Sequence, residues 1–505
     1  MIQRVRRSAR IAAVCALALA APAAARPLGA QFSVSEYQQR RTALLAKLPD
    51  GVVVVLGARE PVQDYLSFYQ SPSFNYLTGF LEPDAALVMV KQKENVASTL
   101  FVLPRAPSRE VWTGTRIGVE GARQRTGIAG RSAEQLTTVL DSLAQSGLPF
   151  FVVGEFPGAQ AAGDDGALTV DQQMIHHLRQ QHPRLEVKVV NGAVEQLRGT
   201  KSTTELAMVR KAVDLTVMAH REAMQALEPG MNEFELQALI EYTFRRNGAD
   251  RPSFSTIVGS GPNSTTLHYN ADDRFISPND LIVMDIGASY KGYAADVTRT
   301  IPGNGVYSPA QREVYQVVRD AQAAAERNAK LGMPARAMND SANTAIAAGL
   351  ARLGLIESPN ATYDCDFGGG TGKCPQYTLY YMHGLGHGIG LEVHDPEQYY
   401  YNQRIAPGSA FTIEPGIYVR SDVLDVLPNT AANRAMADKL RPAVLKFRNV
   451  GVRIEDDYVA TENGVEWISR APREMDEIEA LMRTPWTGPA KRNPALVESY
   501  RPVVP

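Results

Sequence analysis

The chain has 505 residues, is 44% hydrophobic and 21% charged, and carries a formal net charge of -2. That length exceeds one ordinary core and predicts two domains plus tails. A charge this close to zero gives no reason to expect nucleic acid or an anionic membrane surface as partner.

At the N-terminus, Arg4, Arg6, Arg7 and Arg10 precede an Ala-rich apolar run, Ile11 to Ala25, and then small residues. The run is shorter than the roughly 20 residues that span a bilayer. It reads as a signal peptide over 1–30 of an exported protein, periplasmic or extracellular, with no stable membrane insertion after cleavage; an uncleaved anchor is the other reading. Cys15 would leave with that segment, so Cys365 and Cys374 remain. They bracket Asp-Phe-Gly-Gly-Gly-Thr-Gly-Lys, a loop that closes readily, and in an oxidising compartment a disulfide is expected.

From 31 to 197, short apolar runs alternate with helical patterns. Val52–Leu56, Ala86–Val90, Thr99–Leu103 and Phe150–Val153 read as buried strands, and 36–48, 132–145 and 170–181 as helices. This is an α/β domain with no catalytic cluster; His176, His177 and His182 read as solvated. The boundary falls at 198–205, where Ser202 or Thr203 with Glu205 gives an N-cap signal for a long helix carrying Leu206, Val209, Val213 and Val217. Further helices are expected over 233–247, 309–331, 337–353 and 474–482. The second domain, 198–475, mixes helices with hairpins and reads as α+β. A helix end and Pro-rich tail occupy 476–505.

Four stretches of the second domain carry candidate chemistry. Leu281 to Thr298 predicts two strands around a tight turn; a two-residue loop at Tyr290-Lys291 sets Asp285 and Asp296 directly opposite, at roughly 4.5–5.5 Å between Cβ atoms. A three-residue loop with Gly292 left-handed moves the register by about one. Paired carboxylates repel without a cation, so the arrangement asks for metal. Glu414 ends an apolar strand. Glu455 follows Arg453 on one face of another, where a plain salt bridge between the two is an equal reading. His383, His387 and His394 alternate with Gly384, Gly386, Gly388 and Gly390; that pattern predicts an extended strand bared on one face, open to another backbone or to a ligand. Asp285, Asp296, His387, Glu414 and Glu455 together suit two divalent ions with bridging carboxylates and a bridging hydroxide as nucleophile.

The run His383 to Asp395 resembles the signature of proline peptidases of the aminopeptidase P and prolidase group, which share the pita-bread fold with methionine aminopeptidase and creatinase. Tyr76 to Asp84 resembles the N-terminal domain of aminopeptidase P, Lys201 to Lys211 its domain junction, and Phe411–Gly416 and Val452–Asp456 its last ligand motifs. The resemblance covers roughly 35–482 and implies that Asp285 chelates one ion, that His387 and Glu414 bind the other, and that Asp296 and Glu455 bridge. It further implies that Glu414 shuttles a proton to the leaving proline nitrogen, His268 lies near the scissile peptide, His394 stabilises the tetrahedral intermediate, His383 lines the proline side, and Arg453 orients Glu455. Manganese is the implied ion, with cobalt or zinc acceptable to the same donors. The implied activity is release of the N-terminal residue from peptides with proline second, by a homo-oligomer, dimer or tetramer. Alternatives are an Xaa-Pro dipeptidase (prolidase), a metal-free binding protein on the same scaffold, and creatinase, which needs no metal ligands. An insertion over Ser421–Phe447, the Cys365–Cys374 loop and Tyr399–Tyr401 depart from the simplest members and bear on substrate length.

Overall fold

The computed structural model describes residues 32–156, 168–366, 370–396 and 404–488. The expected signal segment, Tyr399–Tyr401 and the end of the Pro-rich tail lie outside these residues. No helix among the described residues is long and apolar enough to cross a membrane.

The first layer is a six-stranded sheet of order β4-β3-β2-β1-β5-β6. Its strands are β1 Gly51–Leu56, β2 Ala86–Gln92, β3 Asn95–Val102, β4 Ala129–Ser132, β5 Phe150–Val153 and β6 Val187–Val189. The unbroken valine run of β1 makes sense because both faces are covered. Val53 and Val55 join one cluster, with Tyr37, Phe74 and Leu77; Val52, Val54 and Leu56 join another, with Leu140, Ile175 and Leu178. The first cluster also takes in Val209, Val213, Ile389, Leu391 and Ala410, so the layers share a core.

The long helix Thr203–Ala226 starts on a capping box in which Ser202 accepts the N–H of Glu205 and the Glu205 side chain returns to Ser202. Beyond it, among the described residues, lie five small sheets: β12-β9-β8, β11-β10-β7, β13-β14, β15-β18-β19 and β16-β17. The strands are β7 Arg251–Pro252, β8 Ile257–Ser260, β9 Leu281–Ile286, β10 Ala288–Tyr290, β11 Tyr293–Ala294, β12 Val297–Pro302, β13 Thr362–Asp366, β14 Thr371–Pro375, β15 Ala410–Ile413, β16 Gly416–Val419, β17 Val450–Arg453, β18 Asp456–Thr461 and β19 Gly464–Trp467. Helices Pro309–Glu326 and Arg336–Leu353 pack on each other against them. The first is shorter than predicted, stopping at Glu326 before the left-handed Gly332. This is the expected α+β, pita-bread architecture.

Two local expectations are corrected. The β10–β11 loop is Lys291-Gly292, with φ of 51° and 83°, not Tyr290-Lys291. A two-residue loop of this hand needs positive φ at both central positions, and only Gly292 meets that without cost. The register therefore moves by two: Asp285 faces Thr298, and Asp296 sits diagonally on the same face. The His383–Asp395 stretch is not a strand; it is a loop bridged to β15 at Gly388 and Phe411, with the Thr412 N–H on the His387 carbonyl at 2.9 Å, the Ile389 N–H on the Ala410 carbonyl at 3.1 Å, and the Ala294 N–H of β11 on the Gly390 carbonyl at 2.7 Å. Its glycines admit the chain's own atoms rather than an incoming peptide: a Cβ on Gly386 would lie 2.2 Å from the Thr412 carbonyl oxygen, and one on Gly388 2.6 Å from that of Asp395. The 421–447 insertion, whose fold the sequence does not indicate, is mainly a helix, Ala431–Phe447, docked on the β13–β14 hairpin, with Asn433 bonding both the N–H and the C=O of Asp364. A disulfide joins Cys365 and Cys374 across that hairpin.

Candidate metal centre

A cavity of about 240 Å³ is lined by Asp285, Asp296, His387, Glu414 and Glu455, by His268, His383 and His394, and by Arg453. Every candidate site residue proposed from the sequence, apart from the cysteines, therefore faces one space; His176, His177 and His182 do not.

The floor is built from strand ends. Asp285 comes from β9, Asp296 immediately precedes β12, Glu414 sits between β15 and β16, and Glu455 between β17 and β18. His387 comes from the loop. Its Nδ1 bonds the Gly388 carbonyl at 3.0 Å, which makes Nδ1 the protonated nitrogen and turns Nε2 to the carboxylates. Nε2 lies 3.5 Å from Asp296 Oδ2, 3.5 Å from Glu414 Oε1 and 3.9 Å from Glu455 Oε1. The ligand atoms of Asp296, His387 and Glu455 all fall within 4.8 Å of one another.

Burial raises the carboxyl of Asp296 well above its ordinary value, helped by the charges of Asp285 and Asp457; burial likewise raises Glu455, helped by the charges of Asp296, Glu414 and Asp285. Glu414 is pushed up to about 7, by burial first, against the pull of His387 and Arg453. Oδ1 of Asp285, Oδ1 of Asp296 and Oε1 of Glu455 are buried without a hydrogen-bond partner. Partnerless buried carboxylate oxygens facing one cavity are costly unless a cation completes them. Four carboxylates and one imidazole nitrogen fit divalent ions of hard or borderline character.

Around the floor the remaining side chains are held by residues that residue type alone did not single out. Arg453 pairs with Asp285 Oδ2 at 2.6 Å and donates to the Tyr418 hydroxyl at 2.8 Å. The expectation that it orients Glu455 is therefore corrected: Glu455 receives the Thr298 hydroxyl at 2.7 Å, and Arg453 reaches it only through Thr298, at 3.3 Å. Thr298 had a signal, since alternation puts it on the face of Asp296. Tyr418 had a weaker one, standing two residues past Gly416 in the strand that follows Glu414. Its hydroxyl also meets His383 Nε2 at 2.9 Å, while His383 Nδ1 bonds the Gly384 carbonyl at 2.8 Å. Burial lowers His383 to about 4, with the Arg453 charge adding to it, and lowers His394 to about 4, with His387 adding. Both rings are neutral at pH 7. His268 and His394 stand exposed at the rim.

The family model of metallopeptidase family M24 matches residues 207–462, and that of the aminopeptidase P N-terminal domain matches 37–148. The chain belongs to family M24. The Xaa-Pro aminopeptidase of Escherichia coli (strain K12) is 32% identical over 465 residues, covering 90% of this chain and 98% of that one. Human Xaa-Pro dipeptidase is 30% identical over 477 residues, covering 87% of this chain and 91% of its own. Among solved structures, a Glu-to-Ala variant of E. coli aminopeptidase P in complex with substrate superimposes with a TM-score of 0.73 at 30% identity, covering 89% of this chain and 98% of that one. This M24 chain is thus a metallopeptidase hydrolase of the aminopeptidase P group that uses divalent metal, and Asp296, His387 and Glu455 form a candidate metal-binding group.

Proposed function

We propose that this protein is an exported, dinuclear-metal Xaa-Pro aminopeptidase, with its catalytic unit over 198–475. The observation carrying the reading is the floor itself: four carboxylates and His387 converge with three buried oxygens unsatisfied. Asp285 would hold one ion, His387 and Glu414 the other, and Asp296 and Glu455 both; manganese is the proposed ion, cobalt and zinc the alternatives. When bound, such a pair polarises the scissile carbonyl and acidifies water. Glu414 would take a proton from the attacking water and hand it to the leaving proline nitrogen. His394 and His268 are placed at the rim to donate to substrate, His394 to the developing oxyanion. His383 spends both ring nitrogens on Gly384 and Tyr418, so it presents carbon rather than N–H, which suits a pyrrolidine ring.

Export is supported by the signal-like N-terminus and by the Cys365–Cys374 disulfide. A homo-oligomer remains part of the proposal, and Val62, Tyr65 and Trp112, exposed by 98%, 82% and 75%, are apolar side chains that a partner subunit would cover. The similarity to human Xaa-Pro dipeptidase favours a second reading, hydrolysis of dipeptides alone. Peptides of the form Xaa-Pro, Xaa-Pro-Yaa and longer, assayed with manganese and with chelator, separate the two. Cleavage of tripeptides and longer peptides, abolished by chelator, is expected; cleavage confined to dipeptides would establish the second reading.

A further inference from the structure

The loop that carries His387 and His394 is wrapped around the residue that ends it. Asp395 is 1% exposed. Its Oδ2 accepts the Leu391 N–H at 2.6 Å, and its own N–H donates to the Gly388 carbonyl at 2.8 Å. A Cβ on Gly390 would lie 2.3 Å from Oδ2 and 2.8 Å from Lys201 Cε, so the wrap is tight enough to require glycine there.

The charge of Asp395 is met from outside the loop. Arg198 Nη2 stands 2.8 Å from Oδ1, with its N–H aimed at Glu392 Oε2, 2.5 Å away. Lys201 Nζ donates to the Asp395 carbonyl at 2.6 Å. Both cations are buried, at 3% and 4% exposure. Arg198 closes the helix Asn191–Arg198, and its other Nη bonds the Ser73 hydroxyl, at 3.2 Å, in the first layer. The Lys201 N–H is fixed on the Gly408 carbonyl at 2.8 Å, just ahead of β15. None of Arg198, Lys201 and Asp395 lines the cavity, so binding substrate does not account for them. Burying two cations and an anion carries a desolvation cost that apolar packing would not. Their common effect is geometric: they fix the backbone on which His394 stands, with its ring 4.0 Å from that of His387.

We propose that Arg198, Lys201 and Asp395 form a positioning clamp that sets His394 against the metal floor and transmits the placement of the first layer to the site. The clamp rests on the reading of His394 as a residue that meets substrate. Its test uses the full-length protein carrying Arg198→Met, the milder Arg198→Lys, Asp395→Asn, and the Arg198→Met/Asp395→Asn pair. With metal content unchanged, each single variant is expected to lose roughly 10–100-fold in kcat/KM on Xaa-Pro-Yaa peptides. Arg198→Lys should recover part of the loss, and the pair should be no worse than the worse single. In chelated protein labelled with 15N-histidine, the His394 ring resonances should shift in the same variants.

Wild-type kcat/KM together with unmoved His394 resonances in Arg198→Lys and Asp395→Asn would overturn the clamp, as would losses that simply multiply. If Arg198→Met does not fold, Arg198→Lys decides the matter by the same two readouts. A His394→Ala protein as active as wild type would instead overturn the role given to His394; the resonance shifts then still decide whether the clamp positions that ring.

Discussion

Glu455 and Asp456 are neighbours in sequence and both are buried, yet the protein drives their carboxyls in opposite directions. Burial alone would raise Asp456, but the charges of Arg299 and Arg473 and the hydrogen bonds of Ser469 and Arg299 together hold it below its ordinary value. Arg299, wholly buried, bonds Asp456 Oδ1 at 2.6 Å and also the carbonyls of Thr298, Glu455 and Pro472. Arg473 adds a contact at 2.9 Å, and Trp467 and Ser469 donate as well. Glu455, one residue earlier, faces Asp296, Glu414 and Asp285 and is raised. One side of a single chain segment thus belongs to a balanced charge network and the other to an unbalanced one. Balance marks a structural cluster; buried imbalance marks a place where something from outside supplies the missing charge.

Substitutions on the two sides should therefore fail in different ways. Glu414→Gln should lower kcat by ~10²–10⁴-fold, as loss of a general acid–base does, while the protein keeps its fold; steady-state kinetics beside a thermal melt checks this. Asp456→Asn should act the other way round. It should cost about 3–5 kcal/mol of stability, because it leaves Arg299 buried and underpaired, yet leave metal stoichiometry intact below the melting temperature. Denaturant unfolding beside metal analysis separates the two effects. Replacing both Arg299→Met and Asp456→Leu should be milder than Asp456→Asn alone.

A pH series draws the contrast more finely. In the chelated protein the Glu414 carboxyl sits near 7 against an ordinary 4.5. The folded state then binds the proton more tightly than the unfolded one, so its contribution is full below about 4.5 and is lost as pH rises through about 7. The rise in melting temperature on adding Mn2+ should accordingly grow from about pH 5 to about pH 8. A gain that is flat or shrinks over that window would contradict the unbalanced floor. The smallest effect belongs to the exposed pair Arg210–Glu466, at 2.6 Å; Arg210→Gln should change stability by less than about 1 kcal/mol and activity not at all.

The sequence made the ligand types legible because a carboxylate at the end of an apolar strand is costly to bury and is rarely placed there without a charge to meet it. Asp285 inside Leu281–Ile286 is the plainest case. What it hid were relations set by other segments. The Asp285–Asp296 register turned on which residues take positive φ, and Lys291 is not one that composition would nominate. The glycines between His383 and His394 suggested an open strand face, but their partners are the Thr412 carbonyl and Asp395, the first from a separate strand. Arg453 was read against its sequence neighbour Glu455, while Asp285, 168 residues away, holds it. The same holds for the helix Ala431–Phe447, whose docking on β13 depends on Asn433 meeting Asp364 across 69 residues.

The floor should carry a charge deficit that divalent ions fill, and bound-metal analysis of three proteins reconstituted side by side puts that to the test. Wild type and Asp456→Asn should each bind two ions per chain, the number that five ligands with two bridging carboxylates accommodate, and Glu455→Gln should bind fewer with activity lost in step. Full hydrolysis of Xaa-Pro-Yaa peptides by chelated wild-type protein, or undiminished metal in Glu455→Gln, would contradict it.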